Sequence, residues 1–189
     1  MLNLLKFIGH IYVLILPIIM GGVSNMIFMK LPVLKSWRFP MDARKSFRGK
    51  RIFGDNKTWK GFFGMIFFTA LSGLLFWWLC NPFVIPGSQQ ISFDPFNFLR
   101  GAWIGFAYVL FELPNSFIKR RLNISSGKNG GPLQTFFDQS DSVFGIVLLY
   151  PLVYPLTLKE ALGILVILTT SHYLINILLF HLKLKNQRG

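Results

Sequence analysis

The stretch GFFGMIFFTALSGLLFWWLC, residues 61–80, contains no charged side chain in twenty positions. A helix needs about 20 mostly apolar residues to cross the hydrocarbon core of a bilayer, and this run has that length. It reads as a membrane span. Working outward, four further segments share its character: about 4–28 ahead of it, and about 101–118, 142–158 and 161–182 behind it. The third span is interrupted by polar residues. The fourth is the shortest and holds Pro151 and Pro155. Proline inside a span is tolerated where neighbours satisfy the freed backbone groups. The expected fold is all-α and integral to the membrane, with five transmembrane helices forming one membrane domain over residues 1–189.

Composition agrees with this. The chain is 52% hydrophobic and 14% charged, with a mean hydropathy of +0.50. That is more apolar surface than a soluble core of 189 residues hides, so lipid must cover part of it. A lone cysteine, Cys80, excludes an internal disulfide framework and any multi-cysteine zinc site. The first span is longer than the apolar core of a signal peptide, and no small-residue cleavage site follows it. It is expected to be retained.

The connections divide by charge. The segment 29–60 carries ten basic residues and the segment 119–141 carries four, Lys119, Arg120, Arg121 and Lys128. The tail adds Lys183, Lys185 and Arg188. On the other side stand only Lys6, Arg100 and Lys159, and the loop Asn81–Phe98 has no Lys or Arg at all. The positive-inside rule then places the N-terminus outside and the C-terminus in the cytoplasm, with 29–60 and 119–141 as cytoplasmic loops of an inner-membrane protein. A net charge of +13 suits nucleic acid, anionic lipid or an anionic substrate. The hydropathy argues against nucleic acid.

Seven carboxylates remain to be placed. Asp94 and Glu160 fall outside, and Asp42 and Asp55 fall in the first cytoplasmic loop. Glu112 lies within the third span, roughly 10 Å of helix rise before Lys119. An ionisable group there is costly and marks a functional-site candidate. Asn115, Ser116 and Lys119 follow at +3, +4 and +7, on one helix face, and Pro114 should bend the helix or free a carbonyl. A polar seam between helices is the plainer reading. Asp138 and Asp141, in FFDQSDSVFG, lie just before the fourth span at i, i+3 spacing, on one side of a helical turn. Asp138 could instead serve merely as a helix N-cap. Three carboxylates, Glu112, Asp138 and Asp141, gathered among cationic loops suit Mg²⁺, which takes a few carboxylates together with waters and phosphates.

The first loop contains FGDNKTWKGFFG, residues 53–64. Its glycines permit close backbone approach to a ligand, and Lys57, Thr58 and Lys60 offer contacts to phosphate. The spacing is not that of a nucleoside-triphosphate P-loop. Trp59 suits either base stacking or anchorage at the membrane interface. The run Arg44, Lys45, Arg48, Lys50, Arg51 also fixes topology and attracts anionic lipid.

Two further motifs complete a pattern. Ser116-Phe117-Ile118-Lys119-Arg120 resembles the opening of the phosphatidate cytidylyltransferase signature, and Asp138-Gln139-Ser140-Asp141 resembles its close. The chain is more similar to the related CDP-archaeol synthase family, which has a KTW-type loop (here Lys57, Thr58, Trp59), an S-x-x-K-R-R run and an aspartate-Gln-x-aspartate pair in that order. The resemblance runs from about Phe53 onward. It departs at Phe111-Glu112, where the archaeal pattern has Gly-Asp, so the carboxylate is one methylene longer. It departs also at ISSGKNGGPLQTFF, which replaces the K-D and H-G-G elements of the phosphatidate enzymes.

The resemblance implies that CTP and a lipid phosphate, of archaetidic or phosphatidic type, give a CDP-lipid and pyrophosphate. It implies Mg²⁺ on Glu112, Asp138 and Asp141, and catalytic roles for Lys119, Arg120 and Asp141. Lys57, Thr58, Trp59, Lys60, Asn115, Ser116 and Arg121 would bind substrate. No general base is needed, since a lipid phosphate is already ionised at neutral pH, and none of His10, His172 or His181 falls in a motif. His172 reads as a packing residue. A CDP-alcohol phosphotransferase is only faintly echoed by Asp42-Ala43-Arg44. A small transporter or assembly subunit for an anionic solute, with Glu112 as its gating group, is the non-enzymatic alternative.

Overall fold

The computed structural model describes residues 2–80, 97–128 and 130–183. Five α-helices occur among them: α1 (Leu2–Lys30), α2 (Trp59–Cys80), α3 (Asn97–Arg121), α4 (Pro132–Leu149) and α5 (Leu158–His181). The expected outer loop, Asp94 included, falls outside the described residues up to residue 96, as do the side chain of Cys80 and the tail residues Lys185 and Arg188.

Three helices, α1, α2 and α5, are long and apolar enough to cross a membrane, which makes this a multi-pass membrane protein. Helices α3 and α4 miss that standard because each carries a polar stripe. In α4 the stripe turns inward: Gln134, Gln139, Ser140 and Ser142 are buried, while Leu133, Phe136, Phe137, Phe144 and Leu148 are exposed.

Three boundaries differ from the sequence reading. The helix expected at 142–158 is 132–149, and Pro151 sits in a 3-10 turn, Tyr150–Leu152, that follows it, with Pro155 beyond. Proline supplies no backbone donor to continue a helix. Asp138 and Asp141 therefore lie inside α4 rather than ahead of it, and the N-cap of α4 is Gly131, not Asp138. Helix α3 passes through Pro114 and ends at Arg121, so the second connection is 122–131 rather than 119–141.

The packing gives the relative directions. Gly21 meets Thr69 and Gly61 meets Met29, so α1 and α2 run antiparallel. Gly101 and Gly105 bring α3 against α2: a Cβ at Gly101 would stand 2.6 Å from the Thr69 carbonyl oxygen, and one at Gly105 3.0 Å from the Ile66 Cα. Small residues let membrane helices approach this closely. Phe111 occupies the space left by Gly145, which seats α4 on α3. Ile11, Ile15, Met65, Val143, Ile146 and Ile164 form the core between the helices. At the end of the bundle far from the basic loops, His10 of α1 and Glu160 of α5 form a buried pair at 2.7 Å, with Thr157 and Glu160 closing a capping box. Both connections 31–58 and 122–131 thus emerge at one end, beside the C-terminus of α3 and the N-terminus of α4.

Candidate active site

A trough of about 300 Å³ opens at that end. Helix α3 lines it with Glu112, Asn115, Ser116, Lys119 and Arg120, and α4 lines it with Asp138, Gln139 and Asp141. The one-face spacing on α3 therefore delivers all four of its expected polar residues to one cavity. Asn56 and Lys57 reach in from the first loop, Gly127 and Lys128 from the second, and His172 and Asn176 from α5.

Nearly every charged group in the trough has a protein partner. Lys57 donates to Glu112, and Lys119 donates to Asp138 at 2.6 Å. The Asn115 amide nitrogen bridges Asp138 and Asp141 at 2.8 and 2.7 Å. Gln134 donates to the Asn115 oxygen at 2.8 Å, which fixes the amide with its nitrogen toward the carboxylates. Burial pulls the Lys57 ammonium toward a lower pKa, but the Glu112 carboxylate, and behind it Asp141 and Asp138, outweigh this, and the pKa is raised. Lys57 stays protonated. Arg120 is buried, donates to the Ile124 carbonyl, and has an Nε with no hydrogen-bond partner among the described residues.

The first loop is built around Asp42. Its carboxylate accepts from Arg51 at 2.8 Å and from the backbone N–H groups of Arg44, Phe53 and Gly54 at 3.0 Å each. Burial would raise the carboxyl's pKa, yet Arg51 and these three N–H groups hold it well below the usual carboxylate range. Strands β1 (Ser46–Phe47) and β2 (Lys50–Arg51) form a short hairpin. Arg121, at the end of α3, donates to the carbonyls of Phe47, Lys50 and Arg51, and Lys50 Nζ returns a bond to the Arg121 carbonyl. Ser126 donates to Asn56 at 2.6 Å and ties the second loop to the first. Lys57 is delivered to the trough by this framework.

Two expected phosphate contacts point elsewhere. Lys60 is 1% exposed; its Nζ donates to the carbonyls of Leu31 and Val33 and lies 4.3 Å from the Phe28 ring centroid. It satisfies carbonyls just past the end of α1, where helix C-termini leave acceptors unpaired. Arg121 is committed to the hairpin. Thr58 accepts from the Gly61 N–H at the start of α2, and Trp59 stacks on Phe63 at the surface, as an interface anchor does. The sequence reading missed Asn56, Gln134 and Asn176, and set His172 aside. The signal for the last two was their i, i+4 spacing in an otherwise apolar span. In the fold Asn176 donates to the Gln139 side chain at 2.7 Å, and His172 Nδ1 lies 3.3 Å from the Gln139 carbonyl.

Two more cavities adjoin the trough, and Glu112 lines all three. An apolar groove of about 520 Å³ runs between α1 and α5 past Ile18, Val23, Met26, Leu168 and Leu179, and shares His172 and Asn176 with the trough. A slot of about 160 Å³ lies beneath the first loop and shares Asn56 and Lys57 with the trough.

The donor set suits a small hard cation. Asp138 and Asp141 both reach one amide nitrogen, so their oxygens lie within the span of a single ligand. Among the described residues no three His, Cys, Asp or Glu side chains stand close enough to hold a metal by themselves. Mg²⁺ does not require that, because it takes one or two carboxylates and completes its shell with waters and substrate phosphates.

The family model for CarS-like CDP-archaeol synthase matches residues 1–188. The CDP-archaeol synthase of Methanoculleus marisnigri is 34% identical over 77% of this chain and 87% of its own length. That of Thermofilum pendens is 34% identical over 91% and 76%, and that of Pyrococcus abyssi 32% over 82% and 86%. A solved structure, described as an intramembrane enzyme for archaeal membrane lipids biosynthesis, shares the fold. Its TM-score is 0.63 at 23% identity, over 88% of this chain and 92% of the other.

Proposed function

Since the chain belongs to the CDP-archaeol synthase family and is a cytidylyltransferase, we propose that it converts a lipid phosphate of archaetidic or phosphatidic type, with CTP, to a CDP-lipid and pyrophosphate. The observation that carries this is the meeting of a charged trough and an apolar groove at Glu112, beside His172 and Asn176. A lipid phosphate needs both environments, one for its anionic head and one for its chains. The groove lies along helices that face lipid, so a lipid enters from the side.

The trough residues fit the chemistry. An oxygen of the lipid phosphate attacks the α-phosphorus of CTP, the bond to the β-phosphate oxygen breaks, and pyrophosphate leaves. Both reactants are polyanions, so their approach must be offset by positive charge. Lys57, Lys119 and Arg120 supply it, with Arg120 able to hold two phosphate oxygens at once. Their ammonium and guanidinium groups are already in place before charge develops, which is what makes electrostatic stabilisation effective. Asn115 and Ser116 orient phosphate oxygens beside them. Asp138 and Asp141, with Glu112 lining the same trough, would hold Mg²⁺ together with waters and substrate phosphates, and the ion would supply positive charge to those phosphates. Thr58 lines the slot beneath the first loop, Trp59 anchors at the surface, and Lys60 and Arg121 hold the first loop in position from behind.

We read the chain as one membrane domain of five spans, N-terminus outside, with the trough opening to the cytoplasm. The polar stripes of α3 and α4 both turn into the trough, which supports counting these helices as spans. The basic loops all lie at the trough end, which supports its facing the cytoplasm. The test is pyrophosphate release by purified protein with CTP, Mg²⁺ and a panel of ester-linked and isoprenoid ether-linked lipid phosphates, with the product identified by mass spectrometry. A CDP-lipid from at least one of them is expected. No release from any would overturn the reading.

A further inference from the structure

We propose that the segment 31–39, which follows α1, lies in the head-group layer of the bilayer at the trough end and binds anionic phospholipid there. Every residue of it is exposed, and Leu31, Val33, Leu34, Trp37 and Phe39 are large and apolar. Where the segment ends, the exposure ends as well: Pro40 and Asp42 are buried. Surfaces that face water rarely carry so dense an apolar cluster, and one of this kind marks an interaction site.

The surroundings say what covers it. Trp59, Phe63 and Phe67 form an exposed stripe at i, i+4 and i+8 on α2, a helix long and apolar enough to cross a membrane, so this stripe faces lipid. The Trp37 ring packs on Phe63, with centroids 5.7 Å apart. Phe63 lies one turn inside α2, about 6 Å of rise beyond Trp59. Trp37 therefore stands level with the first turn of the span, on its lipid-facing side. Trp37, Trp59 and Phe63 together make the aromatic belt expected at that depth. The spans hold the segment in place: Lys60 donates to the carbonyls of Leu31 and Val33, and Arg38 to those of Met29 and Leu31. At the far end Phe39 accepts from the Trp59 N–H at 3.2 Å, and the Met41 N–H donates to the Lys57 carbonyl at 2.8 Å. The backbone that carries Lys57 is thereby paired with the interfacial segment. Charge selects the lipid. Lys35 is exposed among the apolar side chains, and the segment has no acidic residue. A lysine there lays its stem along apolar surface and keeps its ammonium among the head groups, where it favours anionic lipid.

The unmodified protein tests this in nanodiscs that contain phosphatidylglycerol with a photoreactive group beside its head group. That lipid is a phosphodiester with no terminal phosphate to accept a cytidylyl group, which separates this binding from the binding of a substrate. After irradiation and digestion, adducts mapped by mass spectrometry are expected within 31–39. Unlabelled phosphatidylglycerol should compete for them at least about twofold better than phosphatidylcholine, since one basic side chain at the surface favours anionic lipid several-fold. In Lys35→Gln the yield within 31–39 should fall by about half or more, measured against the adducts on α5 in the same sample. Adducts on the spans with none in 31–39 overturn the proposal and leave this face to a protein partner. Equal competition by the two lipids overturns it too, as does an unchanged yield in Lys35→Gln. If that variant is not recovered folded, the competition on the unmodified protein decides.

Discussion

Lys57, on the first loop, donates to Glu112 inside α3; Glu112 borders all three cavities of the site, and Lys57 borders the trough and the slot. The residues are 55 positions apart and lie in segments of opposite character, a basic loop and an apolar helix. The pair gives the part-buried carboxylate a counter-charge, and it sets a cation where phosphates must arrive.

Removing either partner should uncouple the site. Glu112→Gln is expected to lower kcat on the order of 10²-fold or more, with the protein still monodisperse in detergent. Lys57→Met should lower kcat/KM for CTP by a similar factor. The double variant should lose much less than the product of the two, since the partners act together. Strict multiplicativity in the pyrophosphate-release assay would show that they act independently.

Chelation tests the aspartates. EDTA should abolish turnover and added Mg²⁺ restore it. Asp141→Asn should be inactive at any Mg²⁺ concentration, and Asp138→Asn should need more Mg²⁺ for half-maximal rate. Wild-type rates in both variants would remove the metal assignment.

Lys60 is expected to be structural. Lys60→Met should lower the melting temperature in detergent and leave KM for CTP within about twofold of wild type, because the ammonium serves the carbonyls of Leu31 and Val33 rather than the trough. A large rise in KM with unchanged melting would return Lys60 to the substrate.

Asp42 should set the acid stability of the first loop. Its folded pKa is depressed, so its stabilisation is fully present above the ordinary aspartate value of about 4 and fades as pH falls below that. Asp42→Asn leaves Arg51 without its main partner and should cost about 3 kcal/mol at neutral pH. Melting curves from pH 3 to 7 should show a weaker acid dependence in the variant. Parallel curves would mean that another carboxylate governs the acid limb.

Topology is open to labelling. In a Cys80→Ser background, a cysteine at Arg48, near the hairpin tip, should react with an impermeant maleimide only from the cytoplasmic side. One at Lys159 should react only from the outside. The reverse pattern would invert the bundle.

Much of this was legible in the chain. The uncharged run at 61–80 announced a membrane helix, and the spacing of Glu112, Asn115, Ser116 and Lys119 announced a polar face. Both are local regularities of period and length, and they survive any packing. The fourth span was misplaced because Asp138, Gln139 and Asp141 lower its hydropathy. A hydropathy pattern does not distinguish a polar stripe turned toward a neighbouring helix from one turned toward water.

What the sequence determined by itself was the membrane character, the family motifs and the side on which positive charge collects. These depend on composition and order alone. Only the tertiary structure decided which cations meet phosphate. Lys57 and Lys60 are three residues apart on the same loop edge, yet one faces Glu112 and the other is buried under the end of α1. Arg120 and Arg121 are adjacent, yet one lines the trough and the other fastens the hairpin. A charge's role depends on which acceptors the packed helices leave unsatisfied around it, and those carbonyls and carboxylates come from segments distant in sequence.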